Sequence, residues 1–199
     1  MQFSQNIKAL IFDCDGTLVD SGRAHLSAWR KAIEEMGGQY DENFLIMRNG
    51  LPLSRIVHDY NQNFNTKIHI EDFEVLKNSY VQESLKYVQE IPEITSILRT
   101  HYQRYKIAAF SGGNRQDVRL SLAVNGLLDK FDAIITADDD FPAKDQPEAY
   151  IKIAELLEVN VSECHFFEDG IYAINAARKT GMQVTDVNVL LENKILALN

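Results

Sequence analysis

The chain opens with an apolar run, Ile7 to Phe12, broken only by Lys8 and ending in Asp13-Cys14-Asp15-Gly16-Thr17. A short apolar run bounded by a turn signal reads as a buried strand. The period then changes. Leu26, Trp29, Ile33 and Met36 recur at helical spacing, which predicts a helix over 25–36 stopped by Gly37-Gly38. Further helices are predicted over 40–48, from 52 or 53 to 63 (Ile56, Val57 and Tyr60 on one face) and over 70–88 (Phe73, Leu76, Tyr80, Leu85 and Val88). Past Ile91-Pro92 the pattern alternates. It predicts helix 93–101, strand 106–110, helix 117–124, strand 131–136, helix 147–158, strand 164–167, helix 171–179, strand 183–187 and a terminal helix over 189–198.

Strands alternating with helices imply an α/β fold of Rossmann-like type, a mainly parallel sheet with helices on both faces. Right-handed crossovers bring the carboxyl ends of such strands to one edge. The all-helical block at 20–88 interrupts this pattern after the first strand. It is expected to be an inserted helical cap, with residues 1–19 and 89–199 forming the α/β core.

A length of 199 residues suffices for one sizeable domain and a small insert. The net charge of −9 argues against nucleic acid or an anionic membrane surface as a main partner. It leaves room for a small phosphorylated metabolite, because one local lysine and a metal can hold a phosphate. Cys14 and Cys164 sit in apolar runs, which fits free buried thiols in a reducing compartment. The N-terminal residues do not resemble a signal peptide and no apolar run is long enough to span a bilayer, so a soluble cytoplasmic protein is expected, as a monomer or weak dimer.

Each candidate for chemistry follows a predicted strand. Asp13 and Asp15, two apart, can share one face. Their repulsion raises their pKa values unless a hard cation such as Mg²⁺ lies between them, or one acid stays protonated for acid–base work. An Asp-Gly turn after a strand is the plainer reading. Ser111 can donate to a phosphate oxygen, and Gly112-Gly113 let backbone N–H groups approach an anion just ahead of a helix. A serine at an ordinary strand–turn–helix junction looks the same. Lys144 lies just before the helix at 147, close enough to reach the strand ends and hold anionic reactants together. A lone lysine is more often solvated surface. Glu168 and Asp169, with Asp13, supply the oxygen ligands Mg²⁺ prefers; as a pair ahead of a helix they could instead serve its dipole.

The string Phe-Asp-x-Asp-Gly-Thr-Leu-Val-Asp-Ser at 12–21 resembles the first motif of the haloacid dehalogenase-type phosphohydrolases. Ser111 matches the second motif and Lys144 the third, although Asp145 stands where proline is common. Phe-Glu-Asp-Gly-Ile-Tyr-Ala at 167–173 resembles the fourth, with Ala173 where glycine is usual. The helical insert resembles that of the β-phosphoglucomutase-like branch, including His25 and Trp29, and Asn49 to Arg55 looks most like its fructose-1-phosphate phosphatase-type members. The resemblance implies a Mg²⁺-dependent phosphatase of small sugar phosphates. Asp13 is then the nucleophile that forms an aspartyl-phosphate, and Asp15 the general acid/base. Lys144, Ser111 and Gly112 bind phosphate; Asp13, Asp15, Glu168 and Asp169 form the metal site. His25 and Arg55 are cap-side candidates for closure or substrate contact. A sugar-phosphate mutase is the rival, although Leu53 stands where the mutases carry a phosphate-gripping arginine. A non-catalytic binding protein on the same scaffold is the more distant one.

Overall fold

The computed structural model describes residues 3–48 and 53–198, the last five of these as backbone alone. Part of the stretch resembling the fructose-1-phosphate phosphatase type, residues 49–52, lies outside the described residues. The chain divides into two compact units, one running to Asp20 and resuming at Val88, the other Ser21–Tyr87.

In the first unit lie β1 (Ala9–Phe12), β2 (Lys106–Phe110), β3 (Ala133–Ile135), β4 (Cys164–Glu168) and β5 (Gln183–Asp186). All pair in parallel, in the order β3-β2-β1-β4-β5. The strand at the centre is wholly apolar, and all four of its residues are fully buried. A strand covered on both faces has no use for alternation, so it reads as a continuous apolar run. Winding proceeds from β1 toward β2 and β3, then returns to the other side of β1 for β4 and β5. The reversal opens a crevice at the carboxyl ends of β1 and β4, where open α/β sheets bind ligands. Register aligns the two ends, since Phe12 lies beside Phe167 and their rings stack 4.8 Å apart.

Helices of the second unit are α1 (Gly22–Glu35), α2 (Glu42–Ile46), α3 (Leu53–Phe64) and α4 (Ile70–Leu85). Its core gathers Ile33, Phe44, Tyr60 and Phe73, with Trp29 packed on Phe73 at 4.9 Å. The first unit contributes α5 (Pro92–His101), α6 (Arg115–Val124), α7 (Pro147–Leu156), α8 (Ile171–Lys179) and α9 (Val187–Leu198). One face of its sheet buries Ile11, Phe110 and Phe166 against Tyr150 and Ile153 of α7 and Ala173 of α8. Cys14 and Cys164 are buried and free, as expected. Among the described residues, no helix is long and apolar enough to cross a membrane.

Several boundaries depart from the periodic pattern, for local reasons. Helix α6 starts at Arg115, two residues early, because Asn114 Oδ1 accepts the N–H of Asp117 at 2.9 Å and caps it. Helix α2 starts late, at Glu42, because Asp41 Oδ1 caps the N–H of Phe44 at 3.0 Å. Helix α4 ends at Leu85 rather than 88, and the residues just beyond it enter a two-stranded stem. There the Asp20 N–H donates to Gln89 O and the Ile91 N–H to Leu18 O, both at 2.9 Å.

His165, inside β4, packs on the rings of Phe3 and Phe167 at 5.2 and 4.9 Å, and its Nε2 lies 2.7 Å from Thr185 Oγ1. Burial lowers its pKa to about 4. Between pH 4 and 6.5 the unfolded chain therefore binds a proton at this site that the folded chain refuses. Its contribution is fully present above about pH 6.5 and is lost as pH falls through that window. We expect wild type to lose about 1–2 kcal/mol more stability than His165→Gln between pH 7 and pH 5. Urea unfolding at both pH values checks this, and equal losses would refute it.

Candidate active site

Asp13 is the first residue past β1. Its N–H donates to Phe167 O at 3.0 Å, which carries the sheet ladder one step further and turns a carboxylate in at the crevice. Only 4% of the residue is exposed. Across the crevice β4 delivers Glu168, buried to 3%, and then the half-buried Asp169. One oxygen from each of Asp13, Glu168 and Asp169 lies within 4.8 Å of the others. The Lys144 ammonium donates to Asp13 Oδ1 and approaches Glu168 Oε2 to 2.6 Å, an ion-pair contact outside hydrogen-bond angles. Glu168 Oε1 accepts the N–H groups of Asp169 and Gly170, at 3.2 and 2.9 Å.

Two buried acids and one half-buried acid beside a single ammonium leave uncompensated negative charge. Burial pushes the Asp13 carboxyl well above the usual carboxylate range; Lys144 pulls it back, while Glu168 and Asp15 push it further up. Burial also raises Asp169, to about 6, with Glu168 adding to the rise. Lys144 is itself penalised by burial, but the Asp13 and Glu168 charges outweigh that and hold its pKa above the ordinary lysine value. A donor set made wholly of carboxylate oxygens with this surplus fits a hard cation such as Mg²⁺ better than a metal that favours nitrogen or sulfur.

Asp15 does not join that acidic group. It stands half-buried in the turn that follows, where the Gly16 N–H donates to Val19 O at 2.8 Å. Its carboxylate leans instead toward the end of β2. A Cβ added to Gly113 would lie 3.4 Å from Asp15 Oδ2 and 3.3 Å from Ser111 Oγ. Ser111 is buried, and its Oγ accepts the Gly113 N–H at 3.0 Å. Gly112 is exposed, with open space on its Cβ side. The residues predicted at 13, 15, 111, 112, 144, 168 and 169 thus all line the carboxyl edge of one sheet.

The two cap candidates belong to the second unit. His25 is half-buried on α1. Arg55 lies on α3, largely exposed, with its Nε 3.0 Å from Asp59 Oδ1; Arg48 holds the other Asp59 oxygen at 3.2 Å.

Three contacts were not read from the pattern. Gly16 has φ +83°, and a Cβ there would fall 2.5 Å from Asp169 Oδ2. Thr17 Oγ1 donates to Asp169 Oδ1 at 3.3 Å, and Asn188 Nδ2 to Asp169 O at 2.9 Å. Gly16-Thr17 lay inside the first motif, but a partner 152 positions downstream leaves no local trace.

Residues 10–187 match the model of the haloacid dehalogenase-like hydrolases. A fructose-1-phosphate phosphatase of Escherichia coli strain K12 is 30% identical over 181 residues, spanning 91% of this chain and 96% of its own. A phosphorylated carbohydrates phosphatase of Thermotoga maritima is 28% identical, spanning 96% and 94%. A solved structure of a haloacid dehalogenase-like family protein from Streptococcus pneumoniae superposes with a TM-score of 0.75 at 21% identity, over 91% of this chain and 84% of that one, which concerns the fold alone. With the family model spanning the strand that carries Asp13, the turn that carries Ser111 and the strand that carries Glu168, this chain belongs to the haloacid dehalogenase-like hydrolase family.

Proposed function

We propose that the protein is a Mg²⁺-dependent phosphatase of small sugar phosphates, working through an aspartyl-phosphate on Asp13. The observation that carries the reading is the buried Asp13–Lys144–Glu168 contact, with Asp169 completing the carboxylate group. A carboxylate held in the crevice by a lysine is placed to attack an anionic phosphoryl group that the same lysine attracts. The relatives that act on fructose 1-phosphate and phosphorylated carbohydrates support the substrate class.

In the first step an Asp13 carboxylate oxygen forms a bond to phosphorus while the bond to the sugar oxygen breaks. Asp15 gives that oxygen its proton, so the sugar leaves as an alcohol. Asp15, now a carboxylate, takes a proton from water, whose oxygen attacks phosphorus and releases inorganic phosphate from Asp13. Ser111 and the peptide groups around Gly112 hold the phosphoryl oxygens from the β2 side, and Lys144 holds them from the β4 side. Phosphoryl transfer asks mainly for such positioning and charge stabilisation. Asp13, Glu168 and Asp169 are the residues that would hold Mg²⁺, which when bound would supply the positive charge that keeps those three acids ionised, while Asp15 beside them carries the proton it gives to the leaving oxygen. His25 and Arg55 are assigned to closure or substrate contact from the second unit. The reading places the enzyme in the cytoplasm, as a monomer or weak dimer.

The test is phosphate release from a panel of sugar phosphates with and without Mg²⁺. We expect turnover that EDTA abolishes and that Asp13→Asn lowers by at least about 10³-fold, because the amide is no nucleophile. Isomerisation of a sugar phosphate in the presence of its bisphosphate, without release, would move the assignment to a mutase. Metal binding without either activity would leave a non-catalytic protein.

A second expectation concerns Gly16. Alanine there meets both a left-handed backbone and the Asp169 carboxylate. Gly16→Ala should weaken Mg²⁺ binding about 10-fold or more in a calorimetric titration, in line with losses at residues that support metal ligands. Unchanged affinity would mean Asp169 does not bind the ion.

A further inference from the structure

We infer that Tyr150 is the positioning residue for Lys144, acting through its phenol on the backbone of the loop that carries the lysine. The inference rests on the phosphatase reading and names a residue that reading does not use. Lys144 sits in an irregular stretch between β3 and α7, on no helix or strand of its own. A loop-borne cation reaches a buried carboxylate reproducibly only if its own peptide is fixed, since sites on loops are held less tightly than sites on regular elements. The Tyr150 hydroxyl donates to Lys144 O at 2.7 Å. Tyr150 lies in the first turn of α7 and is fully buried. Its ring stands 5.8 Å from that of Phe110 and 5.3 Å from that of Phe166.

The same two phenyl rings flank the lysine. Lys144 Nζ lies 5.8 Å from the Phe110 ring and 5.7 Å from the Phe166 ring. Phe110 directly precedes Ser111, and Phe166 precedes Glu168 by two. One rigid cluster at the ends of β2 and β4 therefore fixes both ends of the lysine, its carbonyl through Tyr150 and its ammonium through the aromatic walls. Beyond this bond, the loop's anchors reach its other residues: the Gln146 N–H donates to Ala143 O at 3.0 Å and Lys152 Nζ to Asp140 O at 2.7 Å. Burial raises the phenol above its ordinary pKa, so it remains a donor across the working range.

The experiment compares wild type, Tyr150→Phe, Lys144→Met and the double variant with p-nitrophenyl phosphate and Mg²⁺. Tyr150→Phe keeps the ring and its packing and removes one hydroxyl. We expect kcat to fall about 10- to 100-fold, the range a misplaced catalytic group produces, with KM changed less than about 3-fold. We also expect faster amide hydrogen exchange over 141–147 and no further loss of kcat when Tyr150→Phe is added to Lys144→Met, as for residues acting in one unit. Replacing Tyr150 by 4-aminophenylalanine, which restores a donor at the same place, should recover most of the rate. This also decides the matter if the phenylalanine variant folds poorly. Wild-type kcat in folded Tyr150→Phe, or an equal further loss in the Lys144→Met background, overturns the inference and leaves the phosphatase reading standing. A wild-type chain that releases no phosphate overturns both.

Discussion

Like charges close together in a buried crevice set the terms for everything else in the first unit. Asp13, Glu168 and Asp169 bring three acid oxygens within 4.8 Å of one another, and Asp13 and Glu168 are almost wholly buried. Burial penalises each carboxylate and proximity adds to the penalty. Lys144 relieves part of it by touching two of the three. A residual deficit of positive charge suits the proposed phosphatase, because the same deficit that raises Asp13 and Asp169 would favour a divalent cation there. The site thus carries a charge imbalance, with Lys144 as its resident counter-ion.

The sheet is what makes that imbalance affordable. β1 is buried on both faces and pairs along its whole length with β2 and β4. Burying its four apolar residues stabilises the fold by several kcal/mol, and their packing leaves the strand end little freedom to relax. Two like charges that could swing apart would do so. Here Asp13 continues the ladder through its own N–H, and Glu168 is tied through Oε1 to two peptide N–H groups, so neither can retreat. Gly16 and Thr17 fit against Asp169 from the turn that follows, which is why that turn needs a residue without a side chain.

The strand–helix alternation was legible because hydrophobic period is a local property. β2 and α8 begin and end at the predicted residues. The candidate residues were legible for the same reason, as each follows an apolar run and the topology delivers strand ends to one edge. Boundaries were lost where a side chain decided them, as at Asn114 and Asp41, whose caps override the periodic signal. The support around the site was lost because it is non-local. Tyr150, an aromatic residue within the predicted helix at 147–158, reads as core, which its ring is; the hydroxyl's bond to Lys144 O needs the folded loop to be seen. Asn188 similarly reaches Asp169 from beyond β5.

The departure of this chain from the commoner third motif acquires a physical meaning in that light. A proline directly after the lysine would restrict the backbone on both sides of it. Asp145 imposes no such restriction, so the loop depends on hydrogen bonds and packing for its shape. Pro147 lies three residues beyond the lysine and serves to start α7, whose second-turn Ile153 and first-turn Tyr150 belong to the same core as Phe110 and Phe166. The order that proline would give locally is supplied here by the helix that follows, through one buried hydroxyl. A lysine held this way is coupled to the hydrophobic core, and the charge balance of the crevice is in turn coupled to how well that core packs.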